Sequence, residues 1–180
     1  MGHIAIAYLL FLLYDRGRHY ESQNEWVLVI LIFGSLFPDL LDKPLAWYIG
    51  VLPTGRSLAH SLLFLIPLCV LVYLLARHRG FVVGGVAFAI GAISHTLVDA
   101  LPVLWDPDAS AAFLLYPVWD VGTYENGSPT VLGLLQDSLY DPYFLAEFVL
   151  LAIAMYYWYT RGKPGISLAR SWVRTLRSRI

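Results

Sequence analysis

The sequence is poor in charged residues and contains a single cysteine. Asp, Glu, Lys and Arg make up 14% of its 180 residues, whereas hydrophobic residues make up 58%. A soluble domain would carry roughly 25% charged residues, so the composition argues against a large water-soluble core. The lone Cys69 excludes a disulfide framework and a cysteine-based zinc site. A metal site in this chain would therefore have to use histidines and carboxylates.

The apolar residues are concentrated in five blocks that predict helices. The blocks cover residues 3–14, 26–37, 58–76, 81–101 and 143–159, and Pro38 and Pro102 follow the second and the fourth. A bilayer core about 30 Å thick needs about 20 helical residues, and the last three blocks approach or reach this length. We predict an all-α fold, a polytopic membrane helical bundle with about five membrane-embedded helices.

Basic residues collect on one side of this predicted bundle. Ten of the twelve lie in the 15–25 loop, the 77–80 turn and the tail from residue 161, which share a side if the five helices alternate. The 100–142 loop on the other side contains no Lys or Arg. By the positive-inside rule we expect a multi-pass protein of the plasma membrane, with the N-terminus outside and the C-terminus cytoplasmic.

The tail differs in pattern from the rest of the chain. We divide the sequence into a membrane-embedded helical metal-site domain, residues 1–160, and a basic amphipathic cytoplasmic tail, residues 161–180. Apolar residues recur in the tail at helical spacing with arginines on the other faces, which suits a helix on an anionic inner leaflet. A frayed basic tail that serves only as a topology signal fits the pattern equally well.

Four short motifs hold the remaining unusual residues. They are Gly2-His3, Pro38-Asp39 with Asp42, the stretch from Arg56 to His60-Ser61, and His95 with Asp99. The alternating topology brings all four to the outer ends of their helices. Charge in a bilayer costs about 2.5–3.5 kcal/mol per residue at mid-depth, and clustered carboxylates repel one another. Because a divalent cation would offset both effects, we predict a metal site at this end.

His95 and Asp99 form the most specific of these patterns. Their i, i+4 spacing places both on one face of a helix, and the pair suits zinc, as well as manganese or iron(II). The candidate ligands in the four motifs are His3, Asp39, Asp42, His60, His95 and Asp99. Glu147, near the outer end of the fifth block, is a further candidate as a ligand, a supporting carboxylate or a paired structural charge.

In this order, the motifs resemble those of the YdjM-like family, the LexA-binding inner-membrane-associated proteins regarded as membrane-bound metal-dependent hydrolases. The similarity covers residues 2–117 and ends at Leu114-Leu115-Tyr116-Pro117. It implies a metal site with hydrolytic activity. The ordered set of histidines and aspartates is also distantly similar to zinc-dependent phospholipase C and the P1-type nucleases. This similarity implies phosphoester cleavage, with the metal ligands His3, Asp39, His60, His95 and Asp99.

The chain departs from the family pattern at two positions. Gly55 stands where the pattern has the first histidine of its HRGxTHS block, so no role of that histidine transfers. The acidic motif has one residue more before its second aspartate, Asp42, and Lys43 follows it.

An enzyme and a binding or transport protein both fit this sequence. The enzyme would be a metal-dependent hydrolase that uses one or two zinc ions to cleave a phosphoester of a lipid or other amphiphile at the outer face. Arg56 would bind the anionic group, and Asp42 or Glu147 would act as general base. The alternative is a small metal- or ion-binding transporter or sensor without hydrolytic activity. The expected partner is the lipid bilayer, with a lipid as substrate, and nothing in the sequence indicates nucleic acid.

Overall fold

The structure is a computed structural model that describes residues 2–16, 24–123 and 142–177. Six α-helices lie in these ranges: α1 Gly2–Tyr14, α2 Trp26–Pro44, α3 Leu62–His78, α4 Val82–Ala100, α5 Pro142–Thr160 and α6 Ile166–Arg177. A π-helical turn, Leu45–Ile49, follows α2, and 3-10 turns at Leu101–Leu104 and Ala112–Leu115 follow α4. The described ranges contain no strand, so the predicted all-α class is confirmed. Several residues of the predicted charge pattern lie outside them: Arg18, Glu125, Asp137, Asp141 and Arg179.

The predicted end of the second helix at Pro38 is wrong. α2 continues through this residue to Pro44 and passes directly into the π-helical turn. A proline removes one N–H donor from a helix and crowds the preceding turn, but Pro38 is buried in the bundle, where packing offsets that cost. The continuation places Asp39 and Asp42 on a helix rather than on a loop, which holds both carboxylates at defined positions.

One described helical stretch is long and apolar enough to cross a membrane. This is Val82–Leu104, which joins α4 to its 3-10 turn. The apolar helices Gly2–Tyr14, Leu62–His78 and Leu145–Thr160 are shorter. By length and composition, the described residues therefore contain one candidate membrane span.

α2 and α4 make the most extensive contact between helices. A Cβ added at Gly34 would lie 2.5 Å from the carbonyl oxygen of Phe88, and one added at Gly91 would lie 2.6 Å from the backbone nitrogen of Ser35. Two backbones can approach this closely only where small residues line the crossing. Since His95 is one turn beyond Gly91, the crossing sets its distance from α2.

The opposite end of the bundle is held by polar contacts. Asp15, just past α1, is fully buried, and its Oδ2 lies 3.3 Å from Nη1 of Arg161 at the end of α5. Glu25, just before α2, accepts hydrogen bonds from the hydroxyl of Ser167 and the backbone N–H of Leu168. The tail therefore contains a helix, α6, whose first turn is tied to the start of α2.

Candidate metal centre

Four side chains from α2, α4 and the loop before α3 meet at one end of the bundle. They are Asp39, His60, His95 and Asp99, and one ligand atom from each lies within 4.8 Å of the other three. We call them the four-residue cluster. Both histidines are buried, with exposed fractions of 0% and 1%.

The separations within the cluster match the needs of a small divalent cation. His60 Nε2 lies 3.2 Å from His95 Nε2, 3.4 Å from Asp99 Oδ2 and 3.6 Å from Asp39 Oδ1. His95 Nε2 lies 3.7 Å from Asp39 Oδ1 and 3.8 Å from Asp99 Oδ2. Four ligands placed tetrahedrally at about 2.0–2.1 Å from zinc would be about 3.3–3.4 Å apart. The five separations that involve a histidine are within about 0.5 Å of these values, and a carboxylate oxygen of Asp39 lies within 4.8 Å of one of Asp99, so the donor set can hold a divalent cation.

The two imidazoles of the cluster turn unprotonated nitrogens towards each other. His95 Nδ1 lies 2.7 Å from the backbone carbonyl oxygen of Ser35, which can only accept, so this nitrogen carries the proton. His60 Nδ1 donates in the same way to Asp42, at 2.8 Å. In the neutral rings both Nε2 atoms are then acceptors, and they face each other at 3.2 Å. Two lone pairs at this distance repel each other unless a cation lies between them, either a proton on one ring or a metal ion bound by both, and two carboxylates beside the pair favour the metal ion.

Asp42 orients the ring of His60 by bonding to Nδ1, the ring nitrogen that does not face the cluster. Its carboxylate is fully buried and accepts the backbone N–H groups of Ser57, Ala59 and His60 as well as the ring Nδ1–H. A carboxylate behind a metal-binding histidine sets its tautomer and orientation. Burial disfavours the charged form of His60, but hydrogen bonds with Asp42 and Asp99 outweigh this effect and raise the pKa of the ring above its ordinary value. The surroundings thus favour positive charge at this imidazole.

Asp99 connects the cluster to two further predicted site residues. Its Oδ2, which faces the cluster, lies 2.8 Å from Arg56 Nε in an ion pair, and its Oδ1 accepts a hydrogen bond from Arg56 Nη2 at 3.4 Å. The same Oδ1 lies 2.9 Å from His3 Nε2. The ring of His3 also packs on that of His95, with centroids 4.1 Å apart. His3 therefore lies beside the four-residue cluster, bonded to one of its carboxylates.

Glu147 supports the start of α1. Its Oε2 accepts the backbone N–H of Gly2 at 2.9 Å, and a Cβ at this glycine would come within 2.7 Å of the glutamate side chain. This contact fixes α5 to the first turn of α1, one residue before His3. The structure brings Glu147 to the edge of the site, outside the four-residue cluster.

A basic side chain also touches the other carboxylate of the cluster. Lys43 Nζ lies 2.7 Å from Asp39 Oδ2, one turn along α2. The stem of Lys43 and the ring of Trp47 pack on Gly55, where an added Cβ would lie 3.1 and 3.2 Å from them. The two departures from the family pattern, at residues 43 and 55, are thus neighbours in space, and the lysine stem fills space beside the glycine.

Two cavities open beside the cluster. The smaller, about 350 Å³, is lined by Asp99 and Arg56 together with Trp105, Asp106 and Ser110. The larger, about 550 Å³, is lined by Lys43, Trp47, Arg56, Asp108, Ser110 and Phe113, among others. Because Arg56 and Ser110 line both, we treat them as one bipartite cavity.

The loop that closes this region is attached to the start of α3. Ser61 accepts the backbone N–H of Leu63 as the N-cap of α3, and its hydroxyl donates to the carbonyl oxygen of Tyr116 at 2.6 Å. Phe113, in the same loop, packs edge-on against His60 with ring centroids 6.1 Å apart. The Leu-Leu-Tyr-Pro motif at 114–117 is therefore attached to the residue that follows His60, and the neighbouring Phe113 packs on the cluster.

Two groups that shape the site were not predicted from the sequence. Ser35 acts through its backbone carbonyl, which no side-chain pattern reveals; the small residues Gly34-Ser35 were the available signal for a close helix crossing. Lys43 stood out only as a departure from the family motif. Its distance from the cluster depends on α2 continuing past Pro38.

Comparison with known proteins supports a single family. No match was found among curated proteins or solved structures, so the similarity to phospholipase C and the P1-type nucleases stays a prediction. Residues 1–164 match the sequence profile described as YdjM inner membrane protein, a range that includes the whole four-residue cluster and the residues that support it. The chain therefore belongs to the YdjM inner membrane protein family.

Proposed function

We propose that this protein is a membrane-embedded, metal-dependent hydrolase that cleaves a phosphoester of a lipid or other amphiphile at the outer face of the membrane. The observation that carries the proposal is the pair of Nε2 atoms of His60 and His95, 3.2 Å apart and flanked by two carboxylates. Imidazole and carboxylate ligands suit zinc, which is the ion we propose, as well as manganese or iron(II).

The proposed membrane setting includes all five apolar helices. Large apolar side chains are exposed along α3 and α5: Ile66, Val70, Leu71, Leu74, Phe148, Val149 and Tyr156. An apolar surface of this extent has to be covered, and lipid covers it in an inner membrane protein family. α3 has 17 residues and α5 has 19, which approaches the length of about 20 residues that a membrane span needs.

In this proposal each residue of the site has a defined role. A divalent cation held by the four-residue cluster would polarise a phosphoryl oxygen and lower the pKa of a nearby water towards about 7. Arg56 binds the anionic group of the substrate, because its guanidinium reaches both Asp99 and the cavity. Hydrolysis joins the water oxygen to phosphorus and breaks the bond to the leaving alcohol, which takes up a proton released by the water.

Asp42, Glu147 and His3 act in this proposal as positioning residues. A general base needs an oxygen within reach of the attacking water, whereas the oxygens of Asp42 accept four hydrogen bonds from His60 and its loop. Glu147 positions the first turn of α1. His3 holds Asp99 and becomes a ligand if a second ion binds.

Metal analysis of purified protein tests the core of the proposal. We expect about one divalent ion per chain after dialysis, and at least about tenfold weaker binding in His95→Ala and Asp99→Ala, since each loses a ligand. His78→Ala is the matched control, because His78 is exposed at the opposite end of α3. Wild-type protein that holds no stoichiometric metal would contradict the metal site.

A turnover screen separates the enzyme from a binding protein. Wild-type protein in phospholipid nanodiscs should release product from lipid phosphoesters or generic phosphoesters only when metal is present. His60→Ala should lose this activity at least a hundredfold, whereas His78→Ala should keep it. Stoichiometric metal without turnover of any phosphoester would favour a metal-binding transporter or sensor.

A further inference from the structure

Two cationic side chains line the bipartite cavity, and neither belongs to the four-residue cluster. Lys43 Nζ lies 2.7 Å from Asp39 Oδ2, and Arg56 Nε lies 2.8 Å from Asp99 Oδ2. Each cation thus touches one carboxylate of the four-residue cluster. Both also line the larger part of the cavity, and 36% of the Lys43 side chain and 53% of the Arg56 side chain are exposed.

The charges around the cluster favour a ligand with two negative charges. The two cluster carboxylates are neutralised by one divalent cation. Lys43 and Arg56 then contribute two positive charges that no cluster carboxylate offsets. Asp42 is behind His60, where three backbone N–H groups and the ring surround it. Asp106 and Asp108 at the cavity rim are exposed, so solvent and salt screen their repulsion of an anion.

We propose that the bipartite cavity binds a terminal, dianionic phosphate, such as a phosphomonoester or diphosphate carried by a lipid, in preference to a phosphodiester. This inference rests on the proposed function and names its substrate class. The phosphate lies between Lys43 and Arg56, since the two cations approach the cluster from different carboxylates. A phosphomonoester carries about −1.5 to −2 charges at pH 7, whereas a diester carries one.

The dimensions and rim of the cavity suit the head of an amphiphile. Its two parts have volumes of about 350 and 550 Å³, within the range of small-ligand sites. Trp105 at its wall and Tyr48, next to Trp47, are exposed, as is Trp119 in the loop that follows the 3-10 turn Ala112–Leu115. Exposed Trp and Tyr are typical of the membrane–water interface. A lipid can therefore present its terminal phosphate to the cavity while its chains stay in the bilayer.

Binding measurements test this inference without relying on turnover. We would measure dissociation constants for phenyl phosphate and for dimethyl phosphate by equilibrium dialysis at pH 8, with full-length, metal-loaded protein in detergent micelles. The dianion should bind at least tenfold tighter than the monoanion. Lys43→Met and Arg56→Met should each weaken the dianion about tenfold and the monoanion much less, because each removes one of the two charges.

Lys163→Met is the matched control. Lys163, the other lysine of the chain, lies past α5 with its Nζ over the ring of Tyr159, and its loss should leave both constants unchanged. The metal content of every variant is measured in parallel, so that a lost ion is not mistaken for a lost anion site.

Separate results overturn the inference and the proposed function. Equal binding of the two anions, or unchanged selectivity in Lys43→Met and Arg56→Met at full metal content, overturns the dianion site. Selective dianion binding without hydrolysis of phosphatidic acid or any other phosphoester supports the dianion site and contradicts the hydrolase.

Discussion

Gly91→Ala is expected to weaken metal binding at least about tenfold although Gly91 touches no ligand atom. The added Cβ would lie 2.5 Å from the carbonyl oxygen of Leu31 and 2.6 Å from the backbone nitrogen of Ser35. Both contacts are with backbone atoms of α2, so the two helices have to separate. The separation lengthens the hydrogen bond from His95 Nδ1 to Ser35 and displaces the imidazole from the cluster. Metal titration of wild-type and variant protein measures the effect.

Whether Gly91→Ala raises or lowers the stability of the protein shows whether the contact between α2 and α4 is tight. Alanine favours a helix over glycine by about 1 kcal/mol, whereas overpacking a tight contact costs about 1–3 kcal/mol or more. We therefore expect Gly91→Ala to lower the thermal midpoint. Gly84→Ala in the same helix is the control, because the atoms nearest to its added Cβ belong to the Phe81 side chain, which can move, and not to the backbone of α2. A more stable Gly91→Ala protein with normal metal affinity would show that the crossing does not set the site.

Asp42→Asn is expected to reduce metal affinity by about 10–100-fold, the range typical of residues that support a metal ligand. The amide keeps the size of the carboxylate but replaces one acceptor oxygen with an NH₂ donor. At least one of the buried N–H groups of Ser57, Ala59 or the His60 ring then lacks its partner. If the His60 ring changes tautomer to compensate, Nε2 carries the proton and can no longer bind a metal.

The same variant distinguishes a positioning role from a general base. If Asp42 only orients His60, saturating metal should restore most of the turnover of Asp42→Asn. If it removes a proton from water, turnover should stay low at full metal occupancy. Asp108→Asn, an exposed acid at the cavity rim, is the control for the loss of one negative charge and should bind metal normally.

Each residue of the four-residue cluster is held in position by a second group at the same end of the bundle. The two histidines of the cluster are each held through Nδ1, one by a side chain and one by a backbone carbonyl. The two carboxylates of the cluster are each held by a cation. Every ligand atom that faces the cluster is thus oriented by a second group. This arrangement lowers the cost of ordering the ligands when a cation binds.

Much of the site could be predicted because charged residues are rare in this chain. In a chain with 14% charged residues and five apolar blocks, each His or Asp at a helix end stands out, and alternation of the helices is enough to place these residues at one end. The i, i+4 spacing of His95 and Asp99 follows directly from helix geometry. The helical class and the approximate helix positions follow from the same pattern.

Only the tertiary structure decided which of these residues belong to the four-residue cluster and which orient its members. Asp39 and Asp42 belong to one short motif, yet Asp39 is part of the cluster whereas Asp42 bonds to Nδ1 of His60, away from the cluster. This difference depends on the continuation of α2 through Pro38, which places both residues on one helix. The carbonyl of Ser35 reaches His95 only because two glycines allow α2 and α4 to touch. Sequence determined which groups are present and at which end of the bundle, since both depend on local composition and helix direction. Their roles depend on ångström-scale distances between separate helices, which only packing sets.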